Sequence, residues 1–225
     1  MAKIHGVAGD WARVKGTVAG LWPAFLCVFA AGFSAAVMSF ASVQWGALVL
    51  ALSLTALAFA TMKGLRRVER FFKGARGEER VSWILRSLPD RYHVFNDFVA
   101  GRAHVDHVVV GPAGVFAVET KNWRGSVTLT KDRNLLVDGH VADRSPIRQT
   151  IREADAVRAE LAKAGWEGEI TPVLCFASDT FDHGAEKAGS ALLINAKDMC
   201  GWLKSRPEVL APAERERLVQ LMAAR

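Results

Sequence analysis

The chain has 225 residues, with 29 basic and 23 acidic side chains, a net charge of +6 and a hydrophobic share of 51%. That length holds one large domain or a domain with an appendage, and the basic balance suits phosphates of nucleic acid or of anionic lipid. Three cysteines, Cys27, Cys175 and Cys200, are too few and too scattered for a disulfide framework or a zinc site, so a reducing compartment is expected.

No charged residue occurs from Gly16 to Met62, a run of 47 positions, about twice what one span of roughly 20 residues needs. Val18–Phe40 and Trp45–Met62 fit as two transmembrane helices around a turn at Ala41-Ser42-Val43-Gln44. A cleaved signal peptide fits less well, because the first apolar run exceeds the usual h-region. Lys3, Arg13 and Lys15 precede the first span, and Lys63, Arg66, Arg67, Arg70, Lys73, Arg76 and Arg80 follow the second, whereas the turn carries no charge. The positive-inside rule then places both ends in the cytoplasm. The expected organisation is a cytoplasmic N-terminal segment (1–17), a transmembrane hairpin (18–62) in membrane lipid and a basic juxtamembrane segment (63–73). A domain over 74–195 and C-terminal helices over 196–225 complete it.

Gly74-Ala75-Arg76-Gly77 is expected to break the pattern before a helix whose buried stripe is Val81, Ile84, Leu85 and Leu88. Glu78 extends that stripe and looks inward, whereas Glu79 falls off it. Pro89-Asp90 stops the helix, and Tyr92–Val99 reads as the first strand.

Val105–Val110 and Val115–Lys121 are β-rich runs joined by Gly-Pro-Ala-Gly, which predicts a hairpin. Side chains alternate along a strand, so Asp106 shares a face with Val108 and Val110, and Glu119 and Lys121 share one with Val115 and Ala117. Three ionisable groups at positions otherwise filled by apolar residues are costly to bury apart. They are expected to form one partly solvated site. The spacing of Asp106 and Glu119 fits two carboxylates brought together across neighbouring strands to hold a divalent cation, Mg²⁺ or Mn²⁺. Lys121 would orient an attacking water or stabilise charge on a phosphate. The plainer alternative is an exposed Glu–Lys pair on an edge strand. His107 points away from Asp106 on its strand, His104 shares its face, and two histidines without a third ligand make no metal set.

Ser126–Thr130, Leu135–Val137 and His140–Val141 read as short strands, the last two around an Asp138-Gly139 turn. A helix opens with Ser145 as N-cap and Pro146 at its first position and runs to about Ala164. Its apolar stripe is Ile147, Ile151, Ala154, Val157 and Leu161. Gln149, Arg148 and Arg152 lie near its amino end, where anions are favoured. By itself Gln149 reads as solvent-facing. Thr171–Ala177 is a central strand, Ala191–Ile194 a last short one, and Ala196–Ser205 and Ala213–Ala224 are terminal helices. The fold class is α/β, a mixed central sheet flanked by helices and preceded by the transmembrane hairpin.

Several strings together resemble the nuclease-related domain, NERD. They are Gly74-Xaa-Xaa-Gly77-Glu78, Asn96-Asp97, Val105-Asp106-His107-Val108-Val109-Val110-Gly111-Pro112, Gly114-Val115-Phe116, Glu119-Thr120-Lys121-Asn122-Trp123 and Pro146-Xaa-Xaa-Gln149. That domain is grouped with the PD-(D/E)XK, or restriction-endonuclease-like, superfamily. The resemblance implies a metal-dependent phosphodiesterase core in which Asp106 and Glu119 are metal ligands and Glu78 assists. It also makes Lys121 the catalytic lysine and Gln149 a catalytic glutamine. Arg124, Arg148 and Arg152 would then contact the backbone of DNA, or of RNA, and a homodimer is compatible with such a core. A membrane-anchored Mg²⁺-dependent nuclease is the leading expectation. The alternatives are a non-catalytic membrane-tethered module that binds nucleic acid or a partner, and a scaffold in which the acidic cluster only supports the fold.

Overall fold

The computed structural model describes residues 1–142 and 145–224. In chain order its elements are β1 (Lys3–His5), α1 (Asp10–Phe40), α2 (Val43–Leu85), β2 (His93–Ala100), β3 (Ala103–Gly111), β4 (Gly114–Lys121), β5 (Val127–Leu129), β6 (Leu135–Val137) and β7 (His140–Val141). They continue with α3 (Pro146–Lys163), β8 (Ile170–Phe176), β9 (Ala185–Ala188), β10 (Ala191–Asn195), α4 (Ala196–Lys204) and α5 (Pro212–Ala223). Two compact units result: Asp10–Lys73, and a domain assembled from Met1–Gly9 and the chain from Gly74 onward.

The first unit is a helical hairpin. Both helices are long and apolar enough to cross a membrane, and only 6% and 11% of their most apolar windows are buried, unlike the core helix of a soluble protein. Phe25, Phe29, Phe33, Trp45, Leu52 and Phe59 all face outward. The two helices meet through small residues: a Cβ on Gly64 would collide with the Gly20 carbonyl oxygen, and one on Gly16 with the Phe71 ring. Small residues at such a seam let two helix backbones approach closely and gain packing contacts. Arg67 Nη1 adds a hydrogen bond to the Ala19 carbonyl at 3.2 Å. The helices outrun the expected spans. The first begins at Asp10, and the second continues without a break through Gly74-Ala75-Arg76-Gly77 to Leu85. The expected interruption at the two glycines is absent, and at Gly77 the helix packs too closely for a larger residue. A Cβ at Gly77 would lie 2.6 Å from that of Asn122.

The domain is built on a seven-stranded mixed sheet of order β1-β2-β3-β4-β8-β10-β9, with helices on both faces. On one face the Val81, Leu85 and Leu88 stripe of α2 and Met199 and Leu203 of α4 cover Val94, Val109, Phe116, Val118 and Val173. On the other, Ala154, Val157 and Leu161 of α3 and Leu218 and Met222 of α5 cover Val108, Val110, Val115 and Ala117. Alternating valines from β3 and β4 therefore feed both layers, as period-2 patterning requires. A three-stranded sheet, β5-β6-β7, closes a third cluster over Leu174, Phe176 and Leu193 with Val127, Leu135 and Phe181. The terminal helices α4 and α5 are integral to this core.

Met1–Gly9, expected as part of a cytoplasmic N-terminal segment, contributes to the domain. Lys3, Ile4 and His5 pair in parallel with His93, Val94 and Phe95 at the sheet edge. Asn96 Nδ2 donates to the Gly6 carbonyl at 3.3 Å, and His5 stacks on Phe95. Gly9, at φ 77°, leaves no room for a side chain, since its Cβ would be 2.9 Å from the Ala75 Cα. Residues 9 and 75 thus lie side by side, and the hairpin is an insertion in the domain. Ser145 does precede α3, but in a left-handed conformation (φ 30°) with no side-chain capping bond, so it does not act as the expected cap. β9 (Ala-Glu-Lys-Ala) lacks the branched and aromatic residues that signal a strand, and was not foreseen.

Candidate active site

The ladder between β3 and β4 pairs His107 with Val118, and one step further the same register sets Asp106 opposite Glu119. Between β2 and β3, the Asn96–His107 and Phe98–Val105 pairs set Asp97 opposite Asp106. There Asp97 leaves the ladder with φ 52°. Three carboxylates thus line up across three strands. Like charges directly opposite one another destabilise a sheet, and the regular pairing of β3 with β4 stops where these begin.

Each acid is held differently. Asp106 Oδ2 accepts the Thr120 backbone N–H at 2.7 Å, which fixes it against the neighbouring strand. Glu119 is 4% exposed, and its Oε1 accepts from Lys121 Nζ at 2.5 Å and from Gln149 Nε2 at 2.7 Å. Lys121 Nζ also donates to Gln149 Oε1 at 3.2 Å. Gln149 Nε2 donates as well to Glu153 Oε1 at 2.8 Å, one turn further along α3. With Nε2 directed at two carboxylates, the amide oxygen is left for the lysine. Glu78 reaches the cluster from α2; it is 8% exposed, and its Oε2 has no hydrogen-bond partner.

The electrostatics follow from crowding. Burial, then the neighbouring Asp97 and Glu119, push the Glu78 carboxyl up to about 7, partly opposed by Lys121. Asp106 is raised well above the usual carboxylate range by loss of solvation, then by Glu119 and Glu78, against the Thr120 N–H. Glu153 is pushed up to about 9 by burial and then by Glu119. Burial alone would lower Lys121, but Glu119, Asp106 and Glu153 outweigh it and hold the ammonium charged. One cation among several carboxylates leaves the cluster electron-rich and proton-hungry.

Such a centre suits a hard divalent cation, which takes oxygen ligands, uses one or two carboxylates and keeps several waters. Asp106 and Glu119 could supply that pair, and the buried Glu78 Oε2 has no hydrogen-bond partner among the described residues. Among the described residues no three His, Cys, Asp or Glu side chains stand together as a complete ligand set, so Glu78 is not a preformed third ligand.

The structure brings Asp106, Glu119, Lys121 and Gln149 together and sets Glu78 within their field. Arg124, Arg148 and Arg152 are exposed. Arg148 lines a cleft of about 410 Å³ with Arg133 and Asn134. Of the two nearby histidines, fully buried His107 holds Asn96 Oδ1 through Nδ1 at 2.8 Å, and His104 Nε2 lies 3.4 Å from Asp97 Oδ1 at the edge of the cluster. Sequence reasoning missed Glu153 and Asp97. The signal for Glu153 was its position four residues after Gln149, beside the apolar stripe rather than opposite it. Asp97 stood in the resembling Asn96-Asp97 string without an assigned role, because its side chain leaves the strand alternation with its backbone.

Asn122 ties the motif to the helix, lying against Gly77 and accepting from Ser178 Oγ at 3.3 Å. Gly77→Ala forces Asn122 aside next to Lys121. It is expected to lower stability by about 1–3 kcal/mol, read by chemical denaturation. Full wild-type stability in that variant would show that α2 yields there without strain.

Residues 73–177 match the family model of NERD, the nuclease-related domain. No curated protein matches the chain, and no solved structure does.

Proposed function

From the premise that residues 73–177 are a nuclease-related domain, we propose that this protein is a membrane-anchored, divalent-metal-dependent phosphodiesterase acting on DNA. The observation that carries the reading is the joining of Glu119, Lys121 and Gln149 in one hydrogen-bonded network beside Asp106.

Asp106 and Glu119 would hold Mg²⁺ or Mn²⁺, with Glu78 beside them, and that ion would polarise the phosphate and lower the pKa of the attacking water. Lys121 is charged and aimed into the centre by Glu119 and Gln149, so it can orient the nucleophilic water and stabilise the added negative charge on phosphorus. The water oxygen bonds to phosphorus as it gives up a proton, the bond to the leaving deoxyribose oxygen breaks, and that oxygen takes up a proton. Exposed Arg124, Arg148 and Arg152 would contact flanking phosphates, which makes binding steeply salt-dependent.

The two apolar helices would anchor the domain. Because Met1–Gly9 and the chain from Gly74 belong to one compact unit, an anchor of two spans leaves and returns on one side of the membrane. The flanking lysines and arginines favour the cytoplasmic side.

The test uses full-length protein in detergent, incubated with plasmid, single-stranded DNA and RNA in Mg²⁺, Mn²⁺ or EDTA, beside Glu119→Ala. Strand breaks that need the metal and vanish in the variant are expected. Salt-sensitive binding without any break would replace the enzyme by a tethered binding module, and cleavage of RNA alone would change the substrate.

A further inference from the structure

We propose that Lys63, Arg66, Arg67 and Arg70 form a docking stripe for anionic phospholipid headgroups, in the leaflet at the open end of the helical hairpin. The inference rests on the reading of that hairpin as a membrane anchor and deepens it by naming the lipid class the anchor selects.

The four cations stand at positions i, i+3, i+4 and i+7 of one unbroken helix, α2. At 3.6 residues per turn they fall within about 100° of its circumference. All four are exposed, and Glu69, the one acid between Lys63 and Lys73, falls off the stripe. Gly64 and Phe71, which meet α1, lie to one side of it. The partners of these cations within the hairpin are uncharged. Arg67 Nη1 donates to the Ala19 carbonyl at 3.2 Å, Arg70 Nε to the Arg66 carbonyl at 3.3 Å, and Lys63 Nζ stands 5.6 Å from the centre of the Phe59 ring. Like charges three or four residues apart destabilise a helix, and the stripe holds four such pairs. The positive-inside rule counts cations near the end of a span and is indifferent to the face they occupy. Their gathering on one face is explained by a layer of anions along it, which removes the repulsion.

Depth favours lipid over nucleic acid as the source of those anions. Arg67 bonds Ala19, which lies inside the charge-free run that begins at Gly16, and Lys63 directly follows Met62, the last residue of that run. The stripe therefore starts at the rim of the apolar layer. It rises about 10 Å from Lys63 to Arg70, and the headgroup layer on each side of a bilayer is about 5–8 Å thick. Long basic side chains keep their stems against acyl chains while the charged ends reach that layer. A nucleic-acid backbone would have to enter it to meet the first two turns. Three of the four are arginines, whose planar fork grips phosphate oxygens in pairs. Each cation so placed raises affinity for an anionic surface about fivefold.

The experiment uses full-length protein in neutral detergent and measures, by native mass spectrometry, binding of phosphatidylglycerol and of phosphatidylcholine with the same acyl chains. Wild type should prefer phosphatidylglycerol by about 25-fold or more, and Arg66→Gln/Arg70→Gln should lose about that factor with phosphatidylcholine binding unchanged. Arg67 is left in place because its bond to Ala19 joins the two helices. Each single variant should lose about fivefold, which decides the matter if the double variant does not fold. No preference in the wild type, or an undiminished one in the variants, would overturn the stripe while leaving the membrane anchor standing. Loss of DNA binding in the double variant with its lipid preference kept would assign the face to nucleic acid instead. Release of the wild type from membranes by alkaline carbonate would overturn the anchor, and the stripe with it.

Discussion

Lys121→Ala should lower metal-dependent strand breakage by about 10²–10³-fold, the loss typical of removing one preorganised group that stabilises developing negative charge. The size of the effect follows from where the ammonium sits. Glu119 and Gln149 fix it at 2.5 and 3.2 Å, so its orientation costs nothing at the moment of reaction. If Arg124, Arg148 and Arg152 hold the substrate as proposed, the substitution leaves that binding untouched, and the loss should fall on kcat rather than on KM. Mn²⁺ affinity should hold or rise, because the substitution removes a positive charge that competes for Glu119. A variant that cleaves at the wild-type rate would remove Lys121 from the mechanism. One that loses Mn²⁺ binding along with activity would instead make Lys121 a structural support of the carboxylates.

His107 should make the fold acid-labile. In the unfolded chain its imidazole titrates near the ordinary 6.5, whereas burial pushes it down to about 3 in the folded domain. Between those values the unfolded chain takes up a proton that the folded chain refuses. The contribution is therefore complete above pH 6.5 and is lost as pH falls, at up to about 1.4 kcal/mol per pH unit. Glu78 works in the opposite direction. Its carboxyl, raised to about 7, favours the folded state at low pH and withdraws that support as pH rises from 4.5 through 7. Wild-type stability alone would blur the two, so the comparison is with His107→Gln, which retains a donor for Asn96. The stability difference between wild type and variant, measured by denaturant unfolding at fixed pH, should shift against the wild type by about 3 kcal/mol between pH 7.5 and 4.5. A difference that stays constant across that range would mean that the folded domain admits a charged His107.

The β3–β4 hairpin was legible because its signals are local: alternation puts Asp106, Glu119 and Lys121 on definite faces, and Gly-Pro-Ala-Gly closes the turn. The long apolar run was equally plain, since absence of charge over that length has few explanations. Gln149 could be placed only through resemblance, because a polar residue at a helix start ordinarily faces water. Glu153, two turns into the helix, was passed over because a charged residue beside an apolar stripe ordinarily reaches water, and the structure overrides both priors by turning the two side chains toward Glu119. β1 was beyond reach: three residues, Lys-Ile-His, become a strand only because β2 offers an edge about ninety positions later. Gly77 misled, since a residue without a side chain marks a break in one setting and a close contact in another. Here Asn122 decides between them, and it is distant in sequence.

The docking of Met1–Gly9 on the domain also orders events during synthesis. β1 is made before both apolar helices, and β2 after them, so the sheet edge stays unfinished while the hairpin is being produced. Closing so long a loop is entropically unfavourable unless its ends are already near one another, and two helices paired through Gly20 and Gly64 bring them together. Completion of the sheet thus becomes a readout of correct hairpin assembly. A chain whose spans fail to pair would carry an open β2 edge, which is the kind of surface that quality-control proteases and chaperones recognise.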